Sequence, residues 1–132
     1  MLEAIEDESL DRIHTAPGTF PFQPMGLANL LKGFARLDYR PGSILPLAYA
    51  RAAKTIQHYQ PTEMSNLMYA CARFGQTDRQ LVSSIIREVI RRRGEGKSFS
   101  EGYIRSIYNS CRALEIDAAE LLIFLDDKWS MM

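Results

Sequence analysis

The chain repeats itself, and this limits what it can fold into more than any other feature. Shifting it by 37 residues lays FQPMGLANLLKGFARLD, residues 22–38, over YQPTEMSNLMYACARFG, residues 59–75. Gln23, Pro24, Asn29, Leu30, Ala35 and Arg36 then match Gln60, Pro61, Asn66, Leu67, Ala72 and Arg73. A further shift by 40 brings FSEGYIRSIYNSCRALE, residues 99–115, onto the same frame, with Cys111 directly over Cys71. Three copies of one unit, 22–58, 59–98 and 99–129, account for most of the 132 residues. An acidic segment, 1–21, precedes them and a short tail, 130–132, follows.

Each unit opens with an amphipathic helix, here called A. Apolar residues at 27, 30, 31, 34 and 35 follow the spacing of one helix face, as do 64, 67, 68, 71 and 72, and then 104, 107, 108 and 111. Each A helix begins with an aromatic, then Gln or Ser, then Pro or Glu. Proline suits the first helical position because its missing N–H would be unpaired there in any case. Ser100 can cap the third helix by accepting from first-turn amides. The aromatic before each cap is placed to staple onto an apolar residue one turn in, which pairs Phe22 with Leu27, Tyr59 with Met64 and Phe99 with Ile104.

A second amphipathic helix, B, follows in each unit. The first is expected from Ile44 to His58, with Ser43 as cap and Pro46 tolerated in the first turn. The second is expected from Arg79 to Arg93, burying Leu81, Val82, Ile85, Ile86, Val89 and Ile90 and ending in three arginines that suit the helix dipole. The third starts at Asp117, with Glu120 completing a variant capping box, and runs through Leu121, Leu122, Ile123, Phe124 and Leu125. Leu10 and Ile13, within residues 2–14, read as a degenerate B helix of a preceding unit. The last B helix leads into Trp129 and two methionines, which read as a terminal cap or a docking point.

A two-helix unit cannot bury its stripe alone, so neighbouring units must stack. The expected fold is all-α: a right-handed α-solenoid of about three helix-turn-helix repeats, six to seven helices in all. With 46% hydrophobic and 24% charged residues the chain has enough apolar content for one packed domain. No apolar run approaches the ~20 residues of a membrane helix, so no membrane insertion is expected.

Sequence chemistry points away from catalysis. Two cysteines forty residues apart form neither a disulfide scaffold nor a zinc site. Cys71 falls in the frame of Phe34 and Cys111, on the apolar side of an A helix, and reads as a packing residue with a quiet thiol. His14 and His58 are solitary, and His58 is placed to meet helix-terminal carbonyls. GEGKS, residues 94–98, imitates the end of a phosphate-binding loop, but Arg91 stands where the first glycine belongs and a helix precedes it instead of a strand. It reads as an inter-unit turn. No enzyme activity, cofactor, metal or small-molecule substrate is expected.

The formal net charge is zero, yet the charge is unevenly spread. Residues 22–98 hold twelve Lys or Arg against five Asp or Glu, whereas both flanks are acidic. A basic centre suits a polyanion; neutral overall charge and acidic ends suit a protein partner.

The frame of residues 24–37, P-x-x-L-x-N-L-L-x-x-F-A-R-L, echoed in 61–74, resembles the octotricopeptide repeat of algal organelles. It is equally similar to the heptatricopeptide repeats of apicomplexan organelles and to the Fas-activated-kinase-like, RAP-domain group of animal mitochondria. The third unit departs from it, with Glu101 at the proline position and Arg112-Ala113 in place of Ala-Arg, and the tryptophan common in the family's first helix is missing. The resemblance implies a mitochondrial or plastid protein whose A helices line a concave surface facing single-stranded or ribosomal RNA. Residue by residue, that surface would comprise Asn29, Lys32 and Arg36, then Asn66, Tyr69 and Arg73, then Arg105, Asn109 and Arg112, with Arg91, Arg92 and Lys97 adding phosphate contacts at the edge. The chemistry is apt: arginine and lysine neutralise phosphates, asparagine can read base edges, and tyrosine offers a stacking face. The competing expectation is a protein scaffold in a large organellar assembly such as a ribosome, a respiratory complex or ATP synthase.

Overall fold

A computed structural model of the chain describes residues 24–75 and 77–125 and, apart from these, Ala4. Five α-helices follow in order: α1 (Pro24–Arg36), α2 (Leu45–Lys54), α3 (Pro61–Phe74), α4 (Arg79–Gly94) and α5 (Glu101–Ala113). Two 3-10 helices, Ile56–His58 and Ala119–Phe124, complete the described elements, among which there is no strand. The A helices α1, α3 and α5 stack side by side as one layer. The B elements form the other: α4 packs on α2, and Ala119–Phe124 on α4. This is a small all-α, solenoid-like stack in the repeat frame read from the sequence.

One continuous apolar cluster joins the layers, from Leu27 and Leu31 through Leu67, Met68 and Ile85 to Ile107 and Leu121, all fully buried. Each such aliphatic side chain contributes roughly 1.5–3 kcal/mol by leaving water. Leu30, Ala72, Ile90 and Tyr108, expected inside, are only half-buried, because each lies on a flank of its stripe.

Helix starts follow the expected chemistry where they are described. Gln60 caps α3 with Pro61 behind it, and its backbone N–H donates to Glu63 Oε1 at 2.7 Å, closing a capping box. The Ser100 hydroxyl accepts from the Tyr103 amide at 3.4 Å. Tyr59, Met64, Phe99 and Ile104 are all buried at these entries; the staple at Phe22 lies outside the described residues.

The A helices also end alike. Asp38, Gly75 and Glu115 occupy one frame position, and all three have positive φ (55°, 68° and 59°). Each stops its helix in a left-handed residue, and amides just beyond turn back onto the last carbonyls: Tyr39 to Phe34 at 3.0 Å and Ile116 to Cys111 at 2.8 Å. Gly96, at φ 73°, stops α4 the same way, with the Lys97 amide donating to Arg92 at 2.8 Å. GEGKS is therefore a helix stop.

The B elements depart from expectation. The first is α-helical only over Leu45–Lys54 and tightens to 3-10 at Ile56–His58; Ile44, not Ser43, stands at its cap. The Thr55 hydroxyl donates back to Arg51 O at 2.9 Å, a bond that competes with helix continuation. The third B element is a six-residue 3-10 helix in place of a long α-helix. Asp117 Oδ1 accepts from the Ala119 amide at 3.0 Å, a local turn that displaces the expected capping box. Of its apolar run only Leu121 and Leu125 are buried; Leu122 and Ile123 are 42% and 78% exposed. Five consecutive apolar residues point to every side of a helix, and the stack covers one side. Residues 2–14 apart from Ala4, Trp129 and the tail 130–132 lie outside the described residues.

Candidate nucleic-acid interface

Opposite its buried stripe each A helix turns a polar row outward. On α1 the row is Asn29 and Arg36, both exposed, with half-buried Lys32; on α3 it is half-buried Asn66 and Tyr69 with exposed Arg73. The two rows are adjacent because α1 and α3 are stacking partners. Arg73 does not simply meet water: its guanidinium bonds Asp38, which the left-handed turn after α1 projects across the seam. Both groups are substantially exposed, so this pair positions more than it stabilises. Lys32 and Arg36 make no ion pair among the described residues.

The third unit departs from the other two in this frame. In the common frame Asn66 corresponds to Ser106, Tyr69 to Asn109 and Arg73 to Ala113. Asn109 thus belongs to the outward row and is exposed. Arg105 and Arg112 occupy instead the frame of Ala28 and Ala35, and of Ser65 and Ala72, the side on which α1 and α3 receive the next A helix. They line, with Tyr108, Asn109, Leu122 and Leu125, a groove of about 290 Å³. Ser106, which the sequence reading passed over, is the row's member here and accepts from the Ser65 hydroxyl at 2.9 Å. Sliding α5 onto α3 by the Cys71–Cys111 match would have found it. A shallow groove bounded by Ala72, Arg105, Ser106 and Asn109 runs along that seam.

Arg91, Arg92 and Lys97 are not brought to this face. Arg91 and Arg92 stand on α4 in the other layer, and Lys97 is exposed in the link to α5. Arg92 is buried: its Nε donates to Glu88 Oε1 at 2.9 Å and its Nη2 to the carbonyls of Tyr59 at 2.7 Å and Gln57 at 3.3 Å. It thereby satisfies carbonyls that the shortened first B helix leaves open, the task expected of His58, which is exposed. Arg91 bonds both Glu88 and Glu95. The Arg91 hydrogen bond, against the cost of burial and with help from Arg92, holds the Glu88 carboxyl below its ordinary range. The third arginine, Arg93, donates to Phe99 O at 2.9 Å and lies 5.2 Å from the Phe124 ring centroid. All three serve the fold.

Cys71 is fully buried beside Tyr49 and Thr77, and burial raises its thiol pKa. Burial pushes Cys111 up to about 11. Neither thiol is poised as a nucleophile. Among the described residues no group of His, Cys, Asp or Glu could hold a metal ion, and no helix is long and apolar enough to cross a membrane. Comparison with protein-family models, with curated proteins and with solved structures returns no match.

Proposed function

We propose that this chain is a non-catalytic, helical-repeat RNA-binding protein of an organelle, in the first place the mitochondrion and alternatively a plastid. It would bind single-stranded transcripts or clamp ribosomal RNA as a small ribosomal subunit. The observation that supports this most is the outward face of the A layer: Asn29, Lys32 and Arg36 beside Asn66, Tyr69 and Arg73, continued by Ser106 and Asn109. It combines cations for phosphates, amides for base edges and one aromatic for stacking, with Asp38 as the acid set among its cations. The resemblance of the repeat frame to organellar RNA-binding repeats points the same way.

The test is binding of a single-stranded RNA oligonucleotide measured across salt. With three or four phosphates engaged, log affinity falls against log salt with a slope of about −2 to −3. Lys32→Glu with Arg36→Glu should abolish most of this slope, and Arg79→Glu with Arg87→Glu on the B layer should not. Absence of binding at low salt rejects the reading.

A second reading, a protein scaffold in a large organellar assembly, is favoured by one observation. Between α4 and the segment 115–120 runs a groove of about 510 Å³ with Val82, Ile86, Ile90 and Ile116 on its floor. Arg79 and Arg87 wall one side, and Glu115, Asp117 and Glu120 the other. An apolar floor between walls of opposite sign suits a partner's amphipathic segment.

A further inference from the structure

We propose that the groove between α4 and residues 115–120 is the docking site for an amphipathic helix of a partner protein, with acidic residues along the edge that meets Arg79 and Arg87 and basic residues along the edge that meets Glu115 and Glu120. The proposal deepens the scaffold reading and rests on it, not on the RNA reading.

The repeat frame marks the groove as the place of a helix. Val82, Ile86 and Ile90 stand on α4 at spacings of four, in the frame of Leu45, Tyr49 and Ala53 on α2, the helix on which α4 itself packs. A ridge of that spacing receives another helix. In the second seam only the six-residue 3-10 helix lies on α4, and the groove is open beside it. Its floor is narrow, with Val82 and Ile86 buried and Ile90 and Ile116 half-buried. Apolar contact alone therefore selects little, and the walls decide what enters.

The walls are not a property of the repeat. Arg79 and Arg87 stand in the frame of Gly42 and Ala50, and Glu115, Asp117 and Glu120 in that of Gly75, Thr77 and Gln80. The counterpart positions in the first seam are thus all neutral, whereas the open groove carries five exposed charges sorted by sign. Arg79, Arg87, Glu115 and Glu120 form no ion pair among the described residues. Opposite charges held on facing walls without pairing are complementary to an occupant with two edges of opposite sign. The two arginines are eight residues apart, about 12 Å along the axis, so the acids that meet them lie about two turns apart on a helix laid along α4. The described helices of a second copy do not fit: α1 and α2 hold no acidic residue, and α3, α4 and α5 hold one each, Glu63, Glu88 and Glu101.

Titration of the full chain with fluorescent synthetic helices of about 16 residues tests this. All share one leucine row; one has a glutamate edge and a lysine edge, a second has lysine on both edges, and a third has glutamate on both. The mixed helix should bind saturably, shift the amides of 82–90 and 115–120, and exceed both uniform helices by about tenfold in affinity. Arg79→Glu with Arg87→Glu removes no side-chain hydrogen bond among the described residues and makes both walls acidic, so preference should pass to the lysine helix. Equal binding of all three helices, or a preference that this variant leaves unchanged, overturns the proposal. So does a mixed helix that binds only after Trp129→Ala, since the chain's own tail would then fill the groove, or one that dissociates a dimer of the chain, since a second copy would. If no helix binds while the chain and this variant sediment alike with a large organellar assembly, the groove assignment is overturned and the scaffold reading stands.

Discussion

The two seams of the stack are built from the same repeat yet closed differently. Between the first and second units, α4 is a full sixteen-residue helix lying on α2, and buried Arg92 ties it to the backbone at Gln57 and Tyr59. Between the second and third units the partner of α4 is a six-residue 3-10 helix, held through Arg93 at Phe99 and Phe124 and leaving the 510 Å³ groove open beside it. The A layer hardly differs across the two. The repeat thus specifies its A helices strongly, while the B layer is where a unit becomes rigid or loose. The third unit should open first, and backbone amides of 119–125 should exchange with solvent before those of α3 and α4.

Substitutions break this contrast in graded steps. Arg92→Ala removes the first seam's tie, takes the donor from the Gln57 and Tyr59 carbonyls and leaves Glu88 with Arg91 alone; it should cost about 3–5 kcal/mol in urea unfolding. Leu121→Ala in the second seam should cost about 2 kcal/mol, the low end for a buried leucine, because the open groove beside it lets the site relax. If Leu121→Ala proves the costlier of the two, the ranking of the seams is wrong.

Acid should act on the first seam through Glu88. Its folded pKa lies below the ordinary glutamate value of about 4.3, so the unfolded chain takes up the proton more readily. The Glu88 contribution is therefore complete above that value and is lost as pH falls through the lower folded one. Thermal unfolding followed from pH 7 to pH 3 should show this loss, and Glu88→Gln should remove it.

Smaller effects compare the helix stops. Glu115 holds a left-handed conformation that glycine adopts freely, so Glu115→Gly should stabilise by about 1 kcal/mol. Asp38→Gly should gain less, because it also removes the exposed pair with Arg73. Ser65→Ala, which deletes the hydrogen bond between α3 and α5, should cost about 0.5–1 kcal/mol.

These contrasts mark what the sequence could reveal. The A helices were legible because period, proline and aromatic entry recur in register, and Cys71 was legible as core for the same reason. Their common left-handed stop was hidden because two of its three residues are Asp38 and Glu115 and not glycine. The role of Arg92 was hidden because, Glu88 apart, its partners lie more than thirty residues away and are backbone atoms, which leave no side-chain signature. The third B element misled because an unbroken apolar run has no periodicity to separate a long helix from a short turn. In the candidate site, Asn109 shares the frame of Tyr69 in the outward row, and the frame adds Ser106 beside it, whereas Arg105 and Arg112 share the frame of Ser65 and Ala72.

The proposed RNA binding rests on that outward row, and an NMR titration of the chain with single-stranded RNA at low salt addresses it residue by residue. The account predicts amide shift changes clustered at Asn29, Lys32, Arg36, Asn66, Tyr69, Arg73 and Asn109, with α4 unaffected. Shift changes confined to the groove walled by Arg79 and Arg87, or none at all, would contradict it.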